Sequence, residues 1–155
     1  MQNHNLHIRK AEVKDILSIV RMLADDPLGS QREAFKDPLP QSYCDAFHRI
    51  DNDNNQELMV VESADNQVIG TCQLTFIPYL TYQGGIRAQI EAVRIDKKFR
   101  GKGIGKMIIE WAVNRARKKG AHVIQLTTDR QRPQAISFYE QLGFNYSHAG
   151  FKRHL

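Results

Sequence analysis

The 155-residue sequence predicts an α/β (α+β) fold, a mixed central sheet of about six to seven strands with about four helices, in one domain. Three observations predict it. Alternating runs between Leu58 and Ile77 read as an antiparallel hairpin, a glycine-rich turn joins the strand Ile86–Ile95 to a strongly amphipathic helix, and a second strand–helix pair follows.

Leu6-His7-Ile8-Arg9 alternates and suits a short first strand. From Glu12 to Ala24, the residues Val13, Ile16, Leu17, Val20, Leu23 and Ala24 fall at helical spacing and predict one apolar stripe. Asp25-Asp26-Pro27-Leu28-Gly29-Ser30 breaks that helix, and the stretch to Pro40 reads as a loop or broken helix. A second helix is expected over Ser42–Ile50, with Ser42 as its N-cap and Tyr43, Ala46, Phe47 and Ile50 on one side.

After the polar turn Asp51–Asn55 come the strands around Leu58–Val61 and Val68–Ile77, then the strand Ile86–Ile95. In the helix expected from Gly103 to Lys119, Ile104, Met107, Ile108, Trp111, Ala112 and Ala116 recur at intervals of three and four, and Gly120 ends it. His122–Thr128 is a strand, and Pro133–Leu142 a helix opened by proline and stopped by Gly143. Phe144–Leu155 leaves room for one or two closing strands.

The formal charge of +5 favours an anionic ligand, although the same excess also serves solubility. Two distant cysteines, Cys44 and Cys72, indicate neither a disulfide framework nor a zinc site. The first residues lack the apolar core of a signal peptide, and no apolar run reaches the roughly 20 residues of a membrane span, so a cytoplasmic location without membrane contact is expected.

Between the strand ending at Ile95 and the helix beginning near Gly103 lies Asp96-Lys97-Lys98-Phe99-Arg100-Gly101-Lys102. A glycine-rich turn that opens a helix exposes backbone N–H groups at the positive end of the helix dipole, an anion site suited to phosphates. Lys97, Lys98, Arg100, Lys102 and Lys106 add charge around it. A Walker loop fails here, because Arg100 stands where its first glycine belongs and Met107 follows Lys106. A dinucleotide fingerprint also fails, since Gly101-Lys102-Gly103-Ile104-Gly105 runs into Lys106 instead of the last glycine.

The remaining pattern, Arg100 to Gly105 as R-x-x-G-x-G, resembles the [QR]-x-x-G-x-[GA] signature of the GNAT superfamily of N-acetyltransferases. Ala135-Ile136-Ser137-Phe138-Tyr139-Glu140-Gln141-Leu142-Gly143-Phe144 is similar to that family's second hallmark, A-x-x-F-Y-E-x-x-G-F, and the element order matches over nearly the whole chain. The resemblance implies a GNAT fold and acetyl-CoA as cosubstrate without a metal. Its pantetheine arm would lie along Val93, Arg94 and Ile95, and its pyrophosphate on the amides of Arg100, Gly101, Lys102, Gly103, Ile104, Gly105 and Lys106. The adenine end would rest near Gln134 and Ser137. Where the family has asparagine three residues before the motif alanine, this chain has Arg132.

A thioester is already activated, so an amine attacks it directly once it has lost its proton, which a free alkyl ammonium with a pKa of about 10.4 holds tightly. Glu91, inside the strand expected to flank the thioester, is the candidate base; the competing reading is an edge or bulge residue facing water. Tyr139, a phenol with a pKa near 10, suits protonation of the departing thiolate; the competing reading is a core aromatic beside Phe138. Neither cysteine has the neighbouring base that a covalent route needs.

A calcium loop at Asp51–Glu62 fails on Gln56 in place of glycine, and His4 with His7 reads as a polar terminus rather than a ligand pair. The basic residues cluster at one anion loop without interleaved aromatics, which argues against nucleic acid. The expectation is therefore acetyl transfer to the primary amine of a small molecule, with acceptor contacts from Asp25–Pro40 and Pro78–Arg87 and with homodimer formation left open. The alternatives are a peptide or protein lysine or N-terminal acetyltransferase, and a non-catalytic acyl-CoA-binding module.

Overall fold

The computed structural model describes residues 6–155, so His4 lies outside the described residues. The strand β1 (His7–Lys10) leads through a 3-10 turn at Val13–Asp15 into α1 (Ile16–Ala24), the single turn α2 (Gly29–Arg32) and α3 (Gln41–Asp51). The hairpin β2 (Gln56–Glu62) and β3 (Val68–Pro78) follows, then the one-turn α4 (Thr81–Gly84) and β4 (Ile86–Ile95). The chain continues through α5 (Ile104–Lys118), β5 (Val123–Leu126) and α6 (Pro133–Gln141). The five strands lie side by side in chain order, antiparallel from β1 to β4, with β5 parallel to β4. This mixed sheet flanked by helices is the expected α/β architecture.

Side-chain alternation assigns the layers. Leu74 and Phe76 of β3 and Ala88 and Ile90 of β4 turn to one face, where they pack on Ile109, Ala112 and Ala116 of α5, on Phe138 and Tyr139 of α6 and on Leu142 just after it. On the opposite face Leu58, Val60 and Val68 meet Ile16, Ile19 and Val20 of α1 and Phe47 of α3. Arg115 binds Glu57 through two guanidinium nitrogens, at 2.6 and 2.8 Å, which ties the last turn of α5 to β2.

The β3–β4 ladder holds the feature that shapes the rest. Thr71 pairs with Arg94 and Gln73 with Glu91, so Cys72 alone opposes the two residues Ala92 and Val93. This is a β-bulge, and Ala92 sits at φ 53°, a left-handed conformation that costs a side chain of order 1–3 kcal/mol. The bulge shifts the phase of alternation by one. Ala88 and Ile90 face α5 before it, and Val93 and Ile95 face the same core after it. β5 follows β4 only from Arg87↔Val123 to Ile90↔Leu126, so pairing stops where the bulge begins and a gap opens between the second half of β4 and residues 127 onward.

Three expectations change in detail. The single stripe over Glu12–Ala24 is divided, because the 3-10 turn advances side chains at a different angle from an α-helix; Val13 and Leu17 are exposed, and Ile19 and Met22 are buried instead. Ser42 is not the N-cap, since extended Pro40 takes that position and its carbonyl accepts from Tyr43 N–H at 3.1 Å. Residues 144–155 carry no strand, and five strands stand where six to seven were expected. Tyr146 and Phe151 in this stretch are exposed. Among the described residues no helix is long and apolar enough to cross a membrane.

Ala92→Gly should be at least as stable as the parent, while Ala92→Val should lose about 1–3 kcal/mol, read from urea unfolding midpoints. Asp15 is buried beside Arg9, whose two guanidinium nitrogens reach its carboxylate at 2.7 and 3.0 Å. Burial works against that charge, but Arg9 and the Glu12 N–H outweigh it and hold the carboxyl below its ordinary value. Its stabilisation is therefore complete above the unfolded carboxylate range and disappears as pH falls through the lower folded value. Asp15→Asn should cost about 3 kcal/mol at neutral pH and flatten the acid limb of the stability curve.

Candidate active site

Beyond the gap, β4 ends at Ile95 and the chain turns through Lys97–Phe99, where the Asp96 carboxylate accepts from Lys98 N–H at 3.0 Å. Gly101 and Gly103 take φ of 74° and 80°, and Gly103 is the N-cap of α5. A Cβ at either would meet nothing within 4 Å, so both glycines border open space beside the turn. No acidic residue occupies the first turn of α5, so the positive end of its dipole is uncompensated. Ile104 is buried in the core and fixes the first helical turn against the sheet.

The basic side chains of the turn are partly engaged. Arg100 donates to the Ile95 carbonyl at 3.1 Å and pairs with Asp25 at 3.0 Å, which turns it back toward β4 and α1. The Lys102 ammonium lies 5.0 Å from the Phe99 ring centroid, and exposed Lys106 is 3.7 Å from Glu110. Gly105 packs near the ring of Phe138, which brings α6 against the same turn.

Beside the gap, Arg94 and Asp26 come together with Arg132. Asp26 accepts from Arg132 at 2.6 Å and from the Gly29 N–H at 2.7 Å, and Arg94 Nε lies 3.6 Å away. Burial disfavours the Asp26 charge, yet Gly29, Arg132 and Arg94 hold its carboxyl below the ordinary value. Burial, reinforced by Arg132, pulls the Arg94 pKa down, and its buried Nε has no hydrogen-bond partner among the described residues. Asp25 and Asp26, from the segment expected to contact the acceptor, are thus partners for arginines around the cleft. Glu33 instead accepts from the Tyr43 hydroxyl at 2.9 Å.

Tyr139 packs in the core that contains Ile90 and Val93, edge-on to Phe138 at 5.1 Å and Phe144 at 5.9 Å. Burial raises its pKa, which the charges of Arg94 and Arg132 partly offset, so its hydroxyl keeps its proton at neutral pH. Glu91 is exposed beside the bulge, on the sheet face away from α5, where Gln73 is its cross-strand neighbour. Val93, Arg94 and Ile95 line β4 past the point where β5 leaves it. Gln134 and Ser137 are exposed on α6. Burial pushes the Cys72 thiol up to about 12, which disqualifies it as a nucleophile at neutral pH. Among the described residues no three His, Cys, Asp or Glu side chains cluster as a metal site.

Sequence reading placed Asp26 and Arg87 only within the two segments expected to contact the acceptor, and did not select Arg87, Gln89 and Gln125 as a group. That omission had a signal: Arg87, Gln89 and Glu91 alternate with Ala88 and Ile90, which marks a polar strand face.

The sequence model of the acetyltransferase (GNAT) family matches residues 21–144. The structure superposes on that of a transcriptional regulator from Bacillus halodurans C-125 with a TM-score of 0.94 and 51% identity, covering 97% of this chain and 99% of the other. It shares its fold with a predicted acetyltransferase from Clostridium acetobutylicum crystallised with acetyl-CoA, at a TM-score of 0.73 and 23% identity over 96% of each chain. An aminoalkylphosphonate N-acetyltransferase of Salmonella typhimurium is 30% identical over 91 residues, 59% of this chain and 58% of that protein. Across three curated relatives the chain spans 25%, 51% and 58% of their length.

Gly103→Asp places a carboxylate in the amide cradle while aspartate still tolerates a left-handed backbone. Acetyl-CoA at about 100 times its dissociation constant should stabilise the parent by roughly 2.7 kcal/mol, read as a raised unfolding temperature. The Gly103→Asp protein should fold and show no such rise.

Proposed function

The chain belongs to the acetyltransferase (GNAT) family, and on that premise we propose that it transfers acetyl from acetyl-CoA to the primary amine of a small molecule by direct attack. The observation that carries this reading is the bulge at Ala92, which opens β4 from β5 eight residues before the amide-rich turn that begins at Arg100. One cleft thus offers strand backbone for an extended arm and helix-terminal amides for a pyrophosphate. The acetyl-CoA in the related C. acetobutylicum structure and the aminoalkylphosphonate named for the S. typhimurium relative support donor and acceptor class respectively.

Bound acetyl-CoA supplies an activated thioester; the residues of this chain bind, orient and move protons. The amides of Arg100–Lys106 hold the pyrophosphate, and the backbone of Val93–Ile95 aligns the pantetheine amides. Gln134 and Ser137, exposed on α6, serve the adenine end. Glu91, on the solvent-facing side of β4, accepts a proton from the acceptor ammonium directly or through one water, so that the neutral nitrogen reaches the acyl carbon. The nitrogen–carbon bond forms, the carbon–sulfur bond breaks, and Tyr139 gives its proton to the sulfur. A phenol raised by burial is protonated when that step begins; the departing thiolate takes its proton, and the surplus proton on the new amide nitrogen restores the phenol, which leaves a neutral amide and a free thiol. With Cys72 buried and protonated, direct transfer needs no acyl-enzyme.

The 51% identity to a protein described as a transcriptional regulator supports a second reading, a regulatory module that binds an acyl-CoA without turning it over. Tyr139 separates the two, because a binding module has no use for the hydroxyl. Tyr139→Phe should lower kcat by about 10²-fold or more in a thiol-release assay while acetyl-CoA affinity stays within about twofold. Undiminished turnover would remove Tyr139 as the acid, and absence of thiol release from the parent with every amine, peptide amines included, would favour the regulatory module.

A further inference from the structure

The face of the sheet opposite α5 is divided. The core of α1 and α3 takes in Leu58, Val60 and Val68 but none of the side chains farther along β3, β4 and β5. There the register sets out three rows: Gln73 beside Glu91, then Thr75, Gln89 and Gln125, then Ile77, Arg87 and Val123. Glu91, Ile77 and Val123 are exposed, and the other five are partly buried and line the floor between them. This polar floor begins at the gap and runs away from the amide-rich turn.

Most of its polar groups satisfy one another. Gln125 donates to Gln89 at 2.7 Å, Gln73 to Gln56 at 2.9 Å and Thr75 to Gln56 at 2.8 Å. Arg87 is the exception. The other partly buried arginines, Arg9, Arg94, Arg115 and Arg132, all have carboxylate partners, and the remaining arginines without one are exposed. Arg87 has only neutral ones: Gln125 Oε1 at 3.3 Å, and the ring of Tyr79, whose centroid lies 4.6 Å from the guanidinium carbon. Its Nε is buried with no partner among the described residues. Tyr79 is itself held by a hydrogen bond to the His122 imidazole, on which Tyr82 stacks with centroids 4.5 Å apart. An aromatic wall thus holds in place a cation that lacks a counter-ion.

We propose that Arg87 binds an anionic group on the acceptor, a carboxylate or a phosphoryl group, so that the acceptor is an amine carrying an anion several bonds from its nitrogen. This deepens the acetyltransferase reading above and rests on it. The charges on the floor set the orientation. Arg87 and Glu91 share the face four residues apart, roughly 13 Å along the strand. An acceptor ammonium at Glu91 lies beside the gap where the thioester would be presented, and the anion then lies toward Arg87. Gln89 and Gln125 between them offer neutral donors and acceptors to a polar middle. A guanidinium meeting a carboxylate or phosphoryl group forms charge-assisted, paired hydrogen bonds, which neutral partners do not replace.

The test compares matched acceptors in a thiol-release assay with saturating acetyl-CoA: 4-aminobutyrate against butylamine, 6-aminohexanoate against hexylamine, and phosphoethanolamine against ethanolamine. The parent should favour at least one anionic member by tenfold or more in kcat/KM, and the pair that shows it distinguishes carboxylate from phosphoryl recognition. Arg87→Gln should collapse that ratio to about one, through KM more than kcat, and Arg87→Lys should restore part of it. An unchanged acetyl-CoA-induced rise in unfolding temperature establishes that each variant folds. Equal use of charged and uncharged amines by the parent, or an equal loss for both on Arg87→Gln, overturns the proposal. If no amine releases thiol, the acetyltransferase reading fails by itself. The proposal is then decided by whether the anionic amines, with CoA present, raise the parent's unfolding temperature but not that of Arg87→Gln; no rise in the parent overturns it.

Discussion

One residue's worth of extra chain in β4 organises this molecule. Ala92 in a left-handed conformation lets two residues of β4 oppose Cys72 alone, and three consequences follow together. The β4–β5 ladder ends, the apolar face stays on α5 through the phase change from Ile90 to Val93, and Arg94 turns with Thr71 toward Asp26 at the end of α1. A regular strand would have kept β5 paired for longer and sent Val93 to the wrong face. The strain at Ala92 is offset by the packing of Ile90, Val93 and Ile95 on either side of it.

The electrostatics around the cleft are arranged against the overall charge. A chain of net +5 gathers cations at the amide-rich turn, yet it keeps its nearby acids, Asp25 and Asp26, bound to Arg100, Arg94 and Arg132. The consequence is a rim on which two carboxylates are each shared by more than one cation, and a helix N-terminus without an acidic residue. On the proposed reading, an incoming pyrophosphate would meet a helix N-terminus with no side-chain cap and no carboxylate to displace. The ion pair between Asp26 and Arg132 also joins the segment after α1 to the start of α6, on opposite sides of the gap.

Much of this was legible in the sequence because the relevant signals are local. The strand Ile86–Ile95 came out with its true limits, and α5 and α6 within one or two residues, since period and glycine or proline boundaries are written along a single segment. The amide-rich turn is likewise contiguous. What was not legible depends on neighbours distant in the chain. The ion pairs of Asp25 and Asp26 reach residues 75 and 106 positions away, so their acids read as ordinary helix-end charges. The division of the first helical stripe depends on Asp15 being drawn into the sheet by Arg9. The bulge lies between these cases. The slip from Ala88 and Ile90 to Val93 and Ile95 is visible in the sequence, but without the partner strand it marks an irregularity and not a gap.

The account stands on the bulge-opened cleft and the amide-rich turn acting as one site. Backbone amide resonances of the isotope-labelled protein during an acetyl-CoA titration test this directly. Saturable shifts should appear together at Val93–Ile95 and Arg100–Lys106, with one dissociation constant for both segments. Shifts confined to the turn, or centred elsewhere on the sheet while Val93–Ile95 stay still, would contradict the account.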